Sequence, residues 1–279
     1  MSKKFKLLMT TLFAVLLLAA CGSADESSST SDSKDSDVFK VGLEAGYPPF
    51  NWTQQDDSNG AVKIEGSQEY AGGYDVEIAK RVADALGKEL VIVKTEWDGL
   101  LPALQSGVID GIIAGMSPTD ERKQVINFTE NYYTSQFVIV TKTGGKYANA
   151  KTLADFAGAK ITSQLNTTNY DVIEQIPDVK KEVAMESFSH MRVALESGAI
   201  DGYVAERPEA VSATAANKNF TFIELEDGFK TDEADTAVAI GLKKGDKNID
   251  VINETLKAIT EEERQQIMEE AIANQPAAQ

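Results

Sequence analysis

The string ALQSGVIDGIIA at residues 103–114 returns as ALESGAIDGYVA at residues 194–205, with eight of the twelve positions identical. A single recurrence marks one structural unit used twice rather than a stacked array. Each copy ends a predicted helix at Ser-Gly, where Gly107 and Gly198 can take the left-handed cap conformation. Each then enters a short apolar strand, residues 109–114 and 200–205, of the kind a sheet buries on both faces. Beyond the strands the copies diverge: the first runs into GMSPTDER (115–122), the second into ERPE (206–209). Ligands of open α/β sheets sit beyond the carboxyl ends of the strands. Gly115 to Arg122 and Glu206 are therefore where chemistry is expected, one group on each of two similar lobes.

Outward from the two copies, strand and helix patterns alternate. Residues 38–43 read as a strand, which Pro48 and Pro49 then interrupt because neither can donate to a ladder. Residues 54–69 are polar with turn signals at Asn59-Gly60 and Gly66, an extended hairpin or flap long enough to cover a pocket mouth. A calcium loop is rejected there, since that register puts Gln55 at its first position and Gly66 at its twelfth. A helix over 76–86 stops at Gly87, a buried strand follows at 90–93, and a helix at 100–105 leads into the first copy. After a strand at 137–141 the pattern restarts: a short helix from Thr152, a strand at 160–162, a helix over 170–176, a strand at 182–185 and a helix over 188–196. Strands at 220–225 and 237–242 follow, then helices over 248–259 and from Thr260, with Glu263 at capping-box spacing. Such an order calls for mostly parallel sheets with right-handed crossovers. The expected lobes are 38–135 with 234–279, and 136–233, joined by two hinge strands that include residues 132–136.

The 279 residues leave room for one large domain or two modest ones, and the net charge of −17 makes nucleic acid or an anionic bilayer a poor partner. The first twenty residues read as a leader: Lys3, Lys4 and Lys6 precede an apolar run from Leu7 to Ala20 that is short for a membrane span. It closes Leu18-Ala19-Ala20-Cys21-Gly22, resembling a bacterial lipoprotein signal in which Cys21 carries the lipid. An ordinary secretory cleavage with Cys21 incidental is the alternative. One cysteine gives neither a disulfide framework nor a thiolate metal site. Residues 21–37 are rich in Ser and Asp, a disordered tether between anchor and domain.

Five stretches in combination resemble the polar amino-acid family of bacterial extracytoplasmic solute-binding proteins, which serve ABC importers. They are YPPF (47–50), GYDVEIA (73–79), WDGLLPAL (97–104), AGMSPTDER (114–122) and FTENYY (128–133). The resemblance implies a two-lobe, type II periplasmic-binding-protein-like α/β fold. It assigns Arg122 to the ligand α-carboxylate, a role suited to a planar guanidinium that donates two parallel charge-assisted bonds. The backbone N–H of Ser117 assists it. Glu206 aligns with the acid that holds the α-ammonium, completed by the 114–115 backbone, through the Gly115 carbonyl beside Ala114, and by the Ser117 hydroxyl. Taken alone, Arg122 reads as a solvated arginine in a first helical turn, and Glu206 as a favourable charge at a helix N-terminus. Gln164 and Thr168 belong to a loop opening onto a helix that also reaches the carboxylate. There Asn166 replaces the usual glycine and can take positive φ at some cost. Tyr47 and Trp97 match positions that sandwich the ligand side chain. Glu44 matches an acid at that side chain's far end, which suits Arg, Lys or His, with glutamine next.

The expected function is that of a lipid-anchored binding protein on the extracytoplasmic face of the cell membrane. It captures a free L-amino acid and passes it to a cognate ABC permease, as a monomer without cofactor or metal. Two rivals stand beside it: a dehydratase-type enzyme using Arg122 and Glu206, and an amino-acid-binding sensor or adhesin. His190, the only histidine, has no nucleophile partner in the sequence and reads as a surface or packing residue.

Overall fold

The computed structural model describes residues 37–276. The leader, Cys21, nearly all of the tether and the last three residues lie outside that range. The elements begin with β1 (Val38–Leu43), β2 (Gly46–Tyr47), β3 (Asn51–Gln54), β4 (Val62–Lys63), β5 (Tyr70–Gly72), α1 (Tyr74–Leu86) and β6 (Glu89–Lys94). Next come α2 (Trp97–Ser106), β7 (Gly111–Ile112), α3 (Asp120–Val125), β8 (Asn127–Thr134), β9 (Phe137–Lys142), β10 (Lys160–Thr162), α4 (Thr168–Asp171) and β11 (Lys180–Lys181). The remainder is α5 (Phe188–Ser197), β12 (Gly202–Glu206), α6 (Arg207–Ala216), β13 (Phe220–Ile223), α7 (Glu233–Thr236), β14 (Ala237–Leu242), α8 (Ile249–Ala258) and α9 (Glu261–Asn274).

Two five-stranded sheets share one topology, β6-β1-β7-β14-β8 and β11-β10-β12-β9-β13, each with the strand of a repeated segment at its centre. In both, the central strand runs parallel to the second strand of that order and antiparallel to the fourth. The repeat extends to individual hydrogen bonds. Gly107 and Gly198 sit in the left-handed region at φ 84° and 79°, each donating back to two carbonyls of its helix. Asp110 and Asp201 each accept from a backbone N–H of the neighbouring strand, that of Lys40 and of Lys160, at 2.9 Å. Their own N–H groups return to the carbonyls of the same lysines at 2.8 Å. The glycine after Asp201 has a packing reason, because a Cβ on Gly202 would lie 2.7 Å from the Val140 carbonyl oxygen.

The sheets exchange strands symmetrically. β8, the edge of the first sheet, passes through Ser135 and Gln136 into β9, the fourth strand of the second. β13, the edge of the second sheet, leads through residues 224–236 into β14, the fourth strand of the first. The Ser135 N–H donates to the Thr236 carbonyl at 3.0 Å, so the two passages run side by side.

Several expectations need correction. The strand at 90–93 is not buried: β6 is a sheet edge where only Ile92 is fully covered. Residues 54–69 form the hairpin of the two alternatives, with Gln54 paired antiparallel to Tyr70, and do not line the pocket as a flap. Their ends join a small sheet, β2-β3-β5-β4, and Ile64 pairs with Ile92 so that the segment covers the exposed edge of β6. The strand placed at 182–185 lies instead at Lys180–Lys181, with only an isolated bridge between Met185 and Gln164. The helix over 170–176 is broken into α4 and a tighter 3-10 turn over Val172–Gln175. Thr260 caps α9 as expected, its side chain accepting from the Glu263 N–H. The Glu263 side chain turns instead to Arg81, so no capping box closes there.

Candidate functional site

Beyond the carboxyl ends of both sheets, one cavity gathers thirteen residues, including all ten expected of the site. Glu44 arrives from the end of β1, Tyr47 from β2, Trp97 from the start of α2, and Ala114, Gly115, Ser117 and Arg122 from the segment after β7. From the second sheet come Gln164, Thr168 and Glu206. Gly115 is required where it stands: its φ is +63°, and a Cβ there would meet the Tyr47 ring at 2.8 Å. Two wider clefts, about 770 and 980 Å³, open elsewhere on the surface. The second adjoins the cavity, sharing Trp97, Arg122, Thr167 and Thr168 with it. The small cavity is the candidate site, because a half-buried cation and two buried acids line it from both sheets.

Arg122 follows the N-cap Thr119 on α3 and turns inward. Its guanidinium donates to the carbonyls of Ser117 and Asn166, both at 2.9 Å, and lies 5.2 Å from the Trp97 ring centre. Among the described residues no carboxylate forms an ion pair with it. Burial disfavours the charged form and brings its pKa down to about 10, still fully protonated near neutrality. Asn166 takes φ 56°, the conformation expected of the residue in the usual glycine's place. Its side chain donates to Asp98 at 2.8 Å, which ties this loop to the start of α2.

Glu206 ends β12 and is 8% exposed. It accepts from the Tyr47 hydroxyl, and burial raises its pKa despite that bond and the opposing charge of Arg122. The Ser117 hydroxyl donates to the Asp235 carbonyl at 3.0 Å, leaving its lone pairs free to accept from a cation. Thr168 donates to the same carbonyl at 3.3 Å. Asp235 lies on the second passage between the sheets, so that passage is bonded to both walls.

Two side chains depart from the expected arrangement. Tyr47 is stacked between Phe50 at 5.1 Å and Phe188 at 4.5 Å, while Trp97 lies under Arg122, so the two rings do not face each other across a shared gap. The Gln164 amide does not join the Asn166–Thr168 loop: it donates to Glu44 at 2.8 Å and to the Glu186 carbonyl at 3.0 Å. Glu44, which accepts that bond, is itself buried.

Thr167, Asn169 and Phe188 line the cavity without having been anticipated. Asn169 is 3% exposed and its side chain sits beside Glu206, where it opposes the upward pull of burial on that carboxyl. A sequence signal existed for Phe188 alone, an aromatic directly after the N-cap Ser187. His190 donates its backbone N–H to Ser187 on the exposed first turn of α5 and lines no part of the cavity.

Residues 39–273 match the sequence profile of the bacterial extracellular solute-binding proteins, family 3. A probable histidine-binding protein of Campylobacter jejuni is 31% identical over 234 residues, covering 79% of this chain and 85% of that protein. An arginine-binding extracellular protein of Bacillus subtilis is 27% identical over 260 residues, covering 91% and 92%. Among solved structures, the substrate-binding protein of an amino acid ABC transporter superposes with a TM-score of 0.68 at 29% identity, covering 85% of this chain and all of that one. The fold is therefore the two-lobe arrangement anticipated from the resemblance.

Proposed function

The chain belongs to the bacterial extracellular solute-binding proteins of family 3, and from that premise we propose that it captures a free L-amino acid for an ABC importer. The observation that carries this reading is the pair Arg122 and Glu206. One half-buried cation and one buried acid face a single cavity from two different sheets, and among the described residues neither is ion-paired to the chain. A zwitterion complements them: its carboxylate takes the Arg122 donors now held by carbonyls, and its ammonium takes Glu206, the Ser117 oxygen and the Gly115 carbonyl.

The cavity as it stands is about 20 Å³, room for about one water. Contacts from one side to the other close it: Tyr47 to Glu206, Gln164 to Glu44, Arg122 to the Asn166 carbonyl, and the Asn166 side chain to Asp98 on α2. An amino acid enters only when these part, and the Ser135–Gln136 passage with its neighbour at Thr236 is where the lobes hinge. Capture then stabilises the closed form by the ligand's differential affinity for it. A micromolar site needs about −8 kcal/mol, within reach of two charge-assisted contact sets and one buried side chain.

The ligand we favour is basic, Arg, Lys or His, with glutamine next, because Glu44 is buried without a cationic partner among the described residues; the histidine- and arginine-binding relatives support that choice. The chain acts as a binding protein rather than an enzyme. Its leader supports attachment through Cys21 to the extracytoplasmic face of the membrane, and a single copy suffices for the site. Among the described residues no helix is long and apolar enough to cross a membrane.

A thermal-shift screen of the full chain against the twenty amino acids tests the reading. A ligand at about a hundred times its Kd adds about 2.7 kcal/mol to stability, so the melting point rises for Arg, Lys or His. A melting point indifferent to every amino acid overturns it.

A further inference from the structure

We propose that a cationic ligand side chain is captured with release of a proton from Glu44, and that Gln164 is the specificity-determining residue that holds Glu44 until that exchange. The inference rests on the amino-acid reading above and names how the same site separates basic from neutral side chains.

Glu44 is 8% exposed, and its recorded hydrogen bond is from the Gln164 amide at 2.8 Å. That nitrogen also donates to the Glu186 carbonyl at 3.0 Å, so both amide hydrogens are committed and the amide cannot rotate without losing one of them. The acids bearing on Glu44 are Glu96 just before α2, Asp98 on α2 and Asp75 on α1. From the rest of the cavity wall come Glu206, whose donor is the Tyr47 hydroxyl, and Arg122, whose donors are turned to the Ser117 and Asn166 carbonyls. No Lys, Arg or His among the described residues forms an ion pair with Glu44.

Burial, with these like charges around it, pushes Glu44 up to about 8 against the one lowering contact from Gln164. The carboxyl is thus neutral at neutral pH, and the missing counter-charge is one that a ligand can bring. An arriving guanidinium, ammonium or imidazolium takes the place of the Gln164 N–H. The Glu44 O–H bond breaks, its proton leaves to solvent, and the carboxylate left behind pairs with the ligand cation, whose own charge is unchanged. A neutral carboxamide brings no counter-charge. It accepts from the Glu44 O–H through its carbonyl oxygen, and no proton departs.

The sign follows from which state holds the proton. The free protein binds it and the cation complex does not, so affinity for an arginine or lysine side chain, which stays charged throughout, rises with pH up to the free-state value and then levels off. Below that value the rise is about tenfold per pH unit. Affinity for a neutral side chain does not rise.

Calorimetric titration of the full chain with L-arginine and with L-glutamine, at about pH 7 in two buffers of different ionisation enthalpy, counts the protons. Close to one is expected for L-arginine and none for L-glutamine. Glu44→Gln abolishes the release. Gln164→Ala moves the pH profile for L-arginine upward, because the bond that favours the ionised carboxyl is gone. L-Arginine binding without proton release and with a flat pH profile overturns the inference while leaving amino-acid capture intact. So does release that persists in Glu44→Gln. Failure of every amino acid to bind removes the underlying reading as well, an outcome distinct from the other two.

Discussion

The segments that follow the two copies of the repeat differ far more than the copies themselves. Up to Ala114 and Ala205 the halves agree in cap, aspartate bonds, strand order and register. Past that point the first delivers Arg122, a half-buried cation resting on carbonyls. The second delivers Glu206 and, within the first turn of α6, Glu209. Glu209 is wholly buried and fully engaged on one oxygen, which accepts from Arg192 at 2.8 and 3.1 Å and from the Tyr203 hydroxyl at 3.2 Å. Glu206, three residues earlier, has no such cation among the described residues. The contrast separates two uses of a buried charge: one paired within the chain and built into the fold, the other left for a guest.

Mutation can break that contrast. Arg192→Ala strands the Glu209 carboxylate, and removing one partner of a buried pair costs about 3–5 kcal/mol. The expected outcome is a correspondingly lower denaturation midpoint in urea. Arg122→Ala is expected to weaken amino-acid binding by about 2–3 kcal/mol, roughly thirty- to a hundred-and-fifty-fold, through loss of a charge-assisted bond set. Its urea midpoint should move far less than that of Arg192→Ala. If Arg122→Ala unfolds the protein as readily as Arg192→Ala does, or leaves binding intact in titration, the two arginines are not different in kind. Ser117→Ala gives the smallest change, about 1 kcal/mol in affinity, because the hydroxyl is one of several acceptors for the ammonium. A larger loss would mean that its bond to the Asp235 carbonyl governs how the second passage seats against the site.

Much of the site was legible because its residues lie in short motifs beside elements with strong local signals. Gly107 and Gly198 announce helix ends by their need for positive φ, and the apolar runs after them announce buried strands, so Arg122 and Glu206 could be placed relative to strand ends. Gln164 could not be aimed. Its neighbours predict a loop, but the direction of its amide depends on where Glu44 and the Glu186 carbonyl come to lie, residues 120 and 22 positions away. Asn169 was missed for a similar reason, since nothing in its local sequence records that Glu206 will be beside it.

From its sequence alone the chain determines two like α/β units, their caps and central strands, and the polar residues held at the strand ends, because those depend on periodicity and backbone preference over a few residues. Tertiary structure alone decides that β6 is an edge covered by residues 54–69, and that Glu209 finds Arg192 while Glu206 and Glu44 find no cation among the described residues. The physical reason is range: a hydrophobic pattern states which face of an element leaves water, whereas the partner met on that face is set by pairings between residues far apart in the chain.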